Sequence, residues 1–196
     1  MRVAFIKNSK SRGYTVVGIA DGDEKQVYTV PDGTYAEMGS PTRGEEIDCG
    51  TLELIKHCDE CYRAKQTALK LLSYADNNER TLTAKLIRRG IGRDIAKQTV
   101  CEMVSLGYIN ESRQLERLIM REANEALSGP KKIIPKLMAK GYSRSDIDRA
   151  VARLCESGKV DFCENRARLI EKNVTRGATE DKIKEILFKK GYSVTE

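Results

Sequence analysis

Three short stretches recur along this chain: "KLIRRGI" (85–91), "KLMAKGY" (136–142) and "ILFKKGY" (186–192). Their glycines, Gly90, Gly141 and Gly191, lie 51 and 50 residues apart. Four positions before each glycine stands Leu86, Leu137 or Leu187, and eight before stands Leu82, Ile133 or Ile183. A basic residue precedes each glycine (Arg89, Lys140, Lys190) and an apolar or aromatic one follows (Ile91, Tyr142, Tyr192). The match extends further, because "GYINESRQLERLI" (107–119) lies 51 residues before "GKVDFCENRARLI" (158–170). Self-similarity at a period near 50 is the mark of a tandem array, in which each unit buries its apolar face against a neighbour.

Each stretch reads as a helix stop. Glycine just past a helix end takes a left-handed backbone without a Cβ clash. The leucine four residues earlier and the residue after the glycine then make the hydrophobic contact that accompanies such a cap. A cation in the last turn complements the helix dipole. The predicted helices are about 63–75, 82–89 and 93–106 in the first unit. They are about 111–127, 131–140 and 144–157 in the second, and 161–175 and 180–190 in an incomplete third. Pro135 should kink the middle helix if that helix starts as early as Pro130, whereas a later start would place it in a tolerated first turn.

The first fifty residues differ. "YTVVGI" (14–19) and "QVYTV" (26–30) are β-branched and aromatic runs, separated by the turn composition "ADGDEK". "PDG" (31–33) is a further turn, followed by a candidate short strand at Tyr35–Met38, and "GSPTRGEE" (39–46) is a linker by composition. The fold class predicted is mainly α: tandem three-helix repeats, three units with the last incomplete, preceded by a small antiparallel β extension of three or four strands. The extension spans 1–50 and the helical domain 51–196, with units at about 51–107, 108–158 and 159–196.

The chain of 196 residues is 40% hydrophobic and 33% charged, a globular balance. Trp is absent and aromatics make up 6%, which argues against a stacking-rich single-strand binder. The longest apolar runs are too short for a membrane span, and the start "MRVAFIKNSK" is too short in apolar residues for a signal peptide. A cytoplasmic protein with reduced thiols is expected. Positive charge collects in the last third, where 16 Lys and Arg face 10 Asp and Glu over residues 131–196. Such a field suits an anionic partner, either nucleic acid or an acidic protein groove.

Lys132, Lys136 and Lys140 fall at i, i+4 and i+8, with Ile133, Leu137 and Met138 assigned to the opposite side. This stripe reads either as a solvated face or as a contact strip for phosphate or carboxylate. The candidate partner- or DNA-binding residues are Arg88, Arg89, Lys131, Lys132, Lys136, Lys140, Arg144, Arg149, Arg153, Lys189 and Lys190. The one His and the C-x-x-C of "HCDEC" (57–61), with Cys49 nearby, could supply four zinc ligands. The missing second C-x-x-C and the helical context favour plain thiols instead. No phosphate-binding glycine fingerprint occurs, and no carboxylate is paired with a catalytic His or a metal-spaced partner. No enzyme and no cofactor are expected.

The three stretches "AKQTALKLLSYADNNERTLTAKLIRRGI" (64–91), "VCEMVSLGYINESRQLERLI" (100–119) and "GPKKIIPKLMAKGYSRSDIDRAV" (129–151) together resemble the RecX family, regulators of the RecA recombinase. The last is similar to the family's G-x-x-x-I-x-x-x-L-x-x-K-G run, carried here by Gly129, Ile133, Leu137, Lys140 and Gly141. The strand-rich start ending in "RGEEID" (43–48) looks like the β extension of some members. The chain departs from the family pattern after Gly107-Tyr108, at Asn110, Ser112 and Gln114-Leu115. The resemblance implies a non-catalytic, monomeric modulator. It would lie in the groove of a RecA–single-stranded DNA filament and inhibit recombinase, ATPase and coprotease activity, with the single- or double-stranded DNA backbone as a second candidate partner. Two other readings remain open on the residues alone: a helix-turn-helix-like DNA-binding regulator, and a general helical protein-binding scaffold.

Overall fold

Alternating β-branched residues build the start of the chain into three antiparallel strands, β1 (Arg2–Asn8), β2 (Tyr14–Asp21) and β3 (Glu24–Pro31). They are seen in a computed structural model that describes residues 1–10 and 12–193. One face of this sheet buries Val3, Val17, Ile19, Tyr28 and Val30. The segment 39–46, expected as a linker, is tied to β1: the Val3 amide donates to the Glu45 carbonyl at 3.0 Å and the Gly44 amide to the Val3 carbonyl at 2.8 Å. It thus covers a sheet edge that would otherwise offer unpaired backbone groups.

The strand expected at Tyr35–Met38 is instead part of a short helix, α1 (Asp32–Glu37). Asp32 lies in its first turn and accepts from Thr15 Oγ1 at 2.7 Å, while Tyr35 is buried and donates to the Pro41 carbonyl. The helix expected from residue 63 begins at Cys49, as α2 (Cys49–Tyr74), because Asp48 caps it by accepting from the Thr51 amide at 2.7 Å. Its added turns bury Leu52 and Ile55 against the sheet.

The remaining helices follow the period: α3 (Glu79–Arg88), α4 (Arg93–Ser105), α5 (Glu111–Met120), α6 (Pro130–Ala139), α7 (Arg144–Glu156), α8 (Phe162–Val174) and α9 (Glu180–Lys190). A π-helical turn, Arg121–Glu125, extends α5. Helix α6 starts at Pro130 and continues through Pro135, which has no amide to donate to Lys131. The chain divides into two compact units. One comprises Met1–Ala75 and Leu82–Ser105, where α2 packs on β3 and α4. The other comprises Asp76–Thr81 and Leu106–Glu196. In this second unit Leu115, Ile119, Ile133, Leu137, Ile147 and Leu154 form the main core.

All three predicted helix stops are present. Gly90, Gly141 and Gly191 have φ of +82°, +98° and +85°. The residue after each glycine donates back to the leucine carbonyl, at 3.3 Å for Ile91–Leu86, 3.3 Å for Tyr142–Leu137 and 3.0 Å for Tyr192–Leu187. Each glycine amide also donates to the carbonyl three residues earlier, at 2.9 Å in every case. These are the paired bonds of a Schellman cap. Burial of a leucine is worth about 1.5–3 kcal/mol, and the three cap leucines are buried, as are Ile91, Tyr142 and Tyr192.

The surroundings of the glycines differ. A Cβ on Gly90 would meet nothing within 4 Å, whereas one on Gly191 would lie 2.5 Å from the Lys132 amide nitrogen. Gly90→Ala should therefore cost only the left-handed backbone penalty, about 1–2 kcal/mol. Gly191→Ala should cost at least about 1 kcal/mol more from the backbone clash. Urea unfolding midpoints of the two variants check this order.

Candidate partner-binding surface

The second and third helix stops do more than end helices. Each docks on the start of the equivalent helix one repeat earlier. Asn78, at the start of α3, donates through Nδ2 to the Lys140 carbonyl at 2.8 Å. Gly129, 51 residues later at the start of α6, donates through its backbone amide to the Lys190 carbonyl at 2.7 Å. A Cβ on Gly129 would sit 2.5 Å from the Gly191 carbonyl oxygen, so only glycine admits this approach. Both contacts satisfy a terminal helix carbonyl that would otherwise be left without a partner.

The tyrosines show how closely the two junctions correspond. Tyr142 OH donates to Gln114 Oε1 at 3.3 Å, and Gln114 Nε2 donates to the Asn77 carbonyl at 3.4 Å. Fifty-one residues after Gln114 stands Asn165, also buried but one methylene shorter. Its Nδ2 donates instead to Asn124 Oδ1 at 3.0 Å. Among the described residues the buried Tyr192 hydroxyl has no hydrogen-bond partner. Burial pushes both phenols above their ordinary range, with nearby carboxylates Glu111 and Asp76 adding to the effect at Tyr142, and Cys163 at Tyr192.

Around the second junction the cations gather. Lys136 Nζ lies 2.5 Å from Oε1 of Glu122, a buried carboxylate on the π turn. Lys190 Nζ donates to the Ala126 carbonyl at 2.5 Å, at the end of the same turn. Burial, then the ammonium groups of Lys132 and Lys172, hold the Lys190 amine below the usual lysine range, with Glu122 opposing them. Lys131 donates to Ser193 Oγ at 2.8 Å, and Lys132 lies against Gly191. An open pocket of about 660 Å³ is lined by Lys131, Lys132, Pro135, Phe188, Lys189 and Tyr192.

The structure thus brings Lys131, Lys132, Lys136, Lys189 and Lys190 to one junction. Lys136 and Lys190 also hold that junction together, while Lys189 pairs with Glu185 one turn earlier on α9. Lys140 places its carbonyl in the first docking contact and exposes its side chain. Arg144 pairs with Asp148 at 2.7 Å and Arg149 with Asp146 at 3.7 Å, both along α7. Arg153 crosses to α5, reaching Glu116 at 3.3 Å and Ser112 at 3.0 Å. Arg88 and Arg89 are exposed at the end of α3, in the other compact unit.

Sequence reasoning missed Glu122, Arg80 and the docking pair Asn78 and Gly129. The signal for that pair was present, since Asn78 and Gly129 stand 51 residues apart at helix starts. Met138, assigned to the apolar side of α6, is 46% exposed.

Repeated helix stops, the second and third docked on the start of the equivalent helix one repeat earlier, and an open, lysine-rimmed pocket define a helical repeat protein. No family model matches the chain. A curated relative, regulatory protein RecX of Clostridioides difficile, is 30% identical over 142 residues, covering 72% of this chain and 65% of the relative. Regulatory protein RecX of Streptococcus uberis is 25% identical over 159 residues, covering 78% of this chain and 59% of the relative. A crystal structure of regulatory protein RecX matches with a TM-score of 0.72 at 20% identity, covering 99% of this chain and 95% of that one, a likeness of fold. The chain belongs to the RecX family. It spans about 59–65% of the length of these two curated relatives.

The two tyrosines should respond oppositely to loss of the hydroxyl. Tyr142→Phe should destabilise by about 1 kcal/mol, since it breaks a buried hydrogen bond and strands Gln114. Tyr192→Phe should leave stability unchanged or raise it, because it removes an unpaired buried hydroxyl. Urea titrations of both variants read the difference.

Proposed function

We propose that this protein is a non-catalytic regulator that binds a RecA–single-stranded DNA filament and inhibits its recombinase, ATPase and coprotease activities. The observation that carries this reading is the pair of equivalent junctions, with their exposed cations, in a chain of the RecX family. A repeat protein offers the same contact chemistry at regular intervals, which suits a partner that is itself a repeating polymer. The curated relatives are named as regulatory proteins, in keeping with a role in control rather than catalysis.

The cations left exposed at the second junction set the expected behaviour. Association with an anionic filament should weaken as salt rises, since exposed charges are screened beyond about 8–10 Å at physiological ionic strength. Lys131, Lys132 and Lys189 are the side chains to test, because Lys136 and Lys190 also serve the fold. No helix among the described residues is long and apolar enough to cross a membrane.

RecA ATPase activity on single-stranded DNA, measured with and without this protein, tests the proposal. Stoichiometric protein should inhibit it, and an unchanged rate would contradict the reading. Reversing Lys131, Lys132 and Lys189 to Glu should weaken inhibition by roughly tenfold or more while the unfolding midpoint holds.

A further inference from the structure

Each helix stop carries a residue that the cap does not need. Directly after the buried leucine stands a large apolar side chain turned to solvent: Ile87 at 42% exposure, Met138 at 46% and Phe188 at 74%. The cap uses only the carbonyl of this residue. Exposed apolar side chains scattered singly over a surface are ordinary and carry no message. Here the exposure recurs at one register of three repeats, each time with a cation one or two residues on: Arg88 and Arg89, Lys140, and Lys189 and Lys190.

The receiving helices add charge at the two junctions of the second unit. A Cβ on Gly141 would lie 3.3 Å from Arg80 Cδ, and one on Gly191 would lie 2.6 Å from Lys132 Cβ. At the second junction Phe188 and Pro135 form apolar parts of the open pocket, with Lys131, Lys132 and Lys189 among its other lining residues. Glu122 and Glu185 are each paired with a lysine, Lys136 and Lys189.

The chemistry of the recurring residue discriminates between partners. Phosphate contacts need cations alone, and base stacking needs an aromatic face. Isoleucine and methionine offer no such face, yet they hold the same register as Phe188. What the three share is apolar bulk beside positive charge, the complement of an apolar side chain set among carboxylates. We propose that Met138 and Phe188, both in the second compact unit, are anchor residues for an acidic protein segment. An apolar side chain of that segment seats in the pocket beside Phe188 and Pro135, and its carboxylates reach Lys131, Lys132 and Lys189. This deepens the proposed function and rests on it for the identity of the filament as partner. It assigns the contact to the protein component of the filament rather than to its DNA.

The test uses the full chain and three probes. Wild type, Phe188→Ser and Met138→Ser are compared for binding to a RecA–single-stranded DNA filament and to bare poly(dT). The wild type and Phe188→Ser are also titrated, by amide chemical shift, with a short synthetic peptide alternating Glu and Leu. Matching unfolding midpoints show that the variants are folded. Phe188→Ser should lower filament affinity by roughly tenfold or more, as loss of an interface anchor does, and leave poly(dT) binding unchanged. The peptide should shift amide resonances of residues 131–134 and 188–193 in wild type only. Unchanged filament affinity in the Phe188 variant, or a parallel loss of poly(dT) binding, overturns the anchor assignment while leaving the proposed function standing. If wild type fails to bind the filament, the proposed function falls. The peptide titration then decides the anchor alone: localised shifts in wild type support it, and their absence overturns it.

Discussion

One backbone contact, the Gly129 amide donating to the Lys190 carbonyl at 2.7 Å, fixes how the end of α9 meets the start of α6, beside the apolar packing of Leu187 and Tyr192 on Leu127 and Leu169. Both groups belong to helix ends, where intrahelical partners run out. Each therefore finds in the other the partner its own helix lacks. Gly129 has no side chain to hold the chains apart, and Gly191 takes the left-handed conformation that turns the chain across α6. The junction thus converts two liabilities, an unpaired donor and an unpaired acceptor, into one link between repeats.

The same link exists one repeat earlier with different chemistry. Asn78 uses a side-chain amide where Gly129 uses its backbone. The longer reach of the asparagine leaves more room, and a Cβ on Gly141 would meet its nearest neighbours at 3.3 Å rather than 2.5 Å. The second junction is the tighter one, and it also gathers the charge. Glu122 is buried there beside Lys136, and Lys190 is tied to the π turn that carries Glu122. A buried charge is tolerated only when it is paired, so the cations that give this face its field also hold it in place. That dual use explains why only part of the basic cluster is free to meet a partner.

Much of the fold was legible because caps are local. A leucine, a cation, a glycine and an apolar residue in fixed order specify a helix end whatever the rest of the chain does, and three copies specify the period. The docking was not legible, because Asn78 and Gly129 share a role but no side-chain chemistry. The short helix α1 was missed because Pro31-Asp32-Gly33 at its start reads as a turn and the helix is brief, and the Thr15–Asp32 contact that steadies its start is long-range. The early start of α2 was hidden because the side chains of 49–62 are mostly polar, and Leu52 and Ile55 are the two buried residues that meet the sheet. In the candidate site the cations could be listed from sequence, but not sorted into those that bind the fold and those that face outward. Met138 follows a buried leucine on a helix and was grouped with it, although its side chain points to solvent.

Amide hydrogen exchange at Gly129 is the most direct measure of the junction. At an open helix start this amide would exchange rapidly. The account predicts slow exchange in the intact protein, and a rise in its rate in Gly191→Ala together with the amides of α9, while α7 stays protected. A Gly129 amide that exchanges as fast as an unpaired helix-start amide, or one left unaffected by Gly191→Ala, would contradict it.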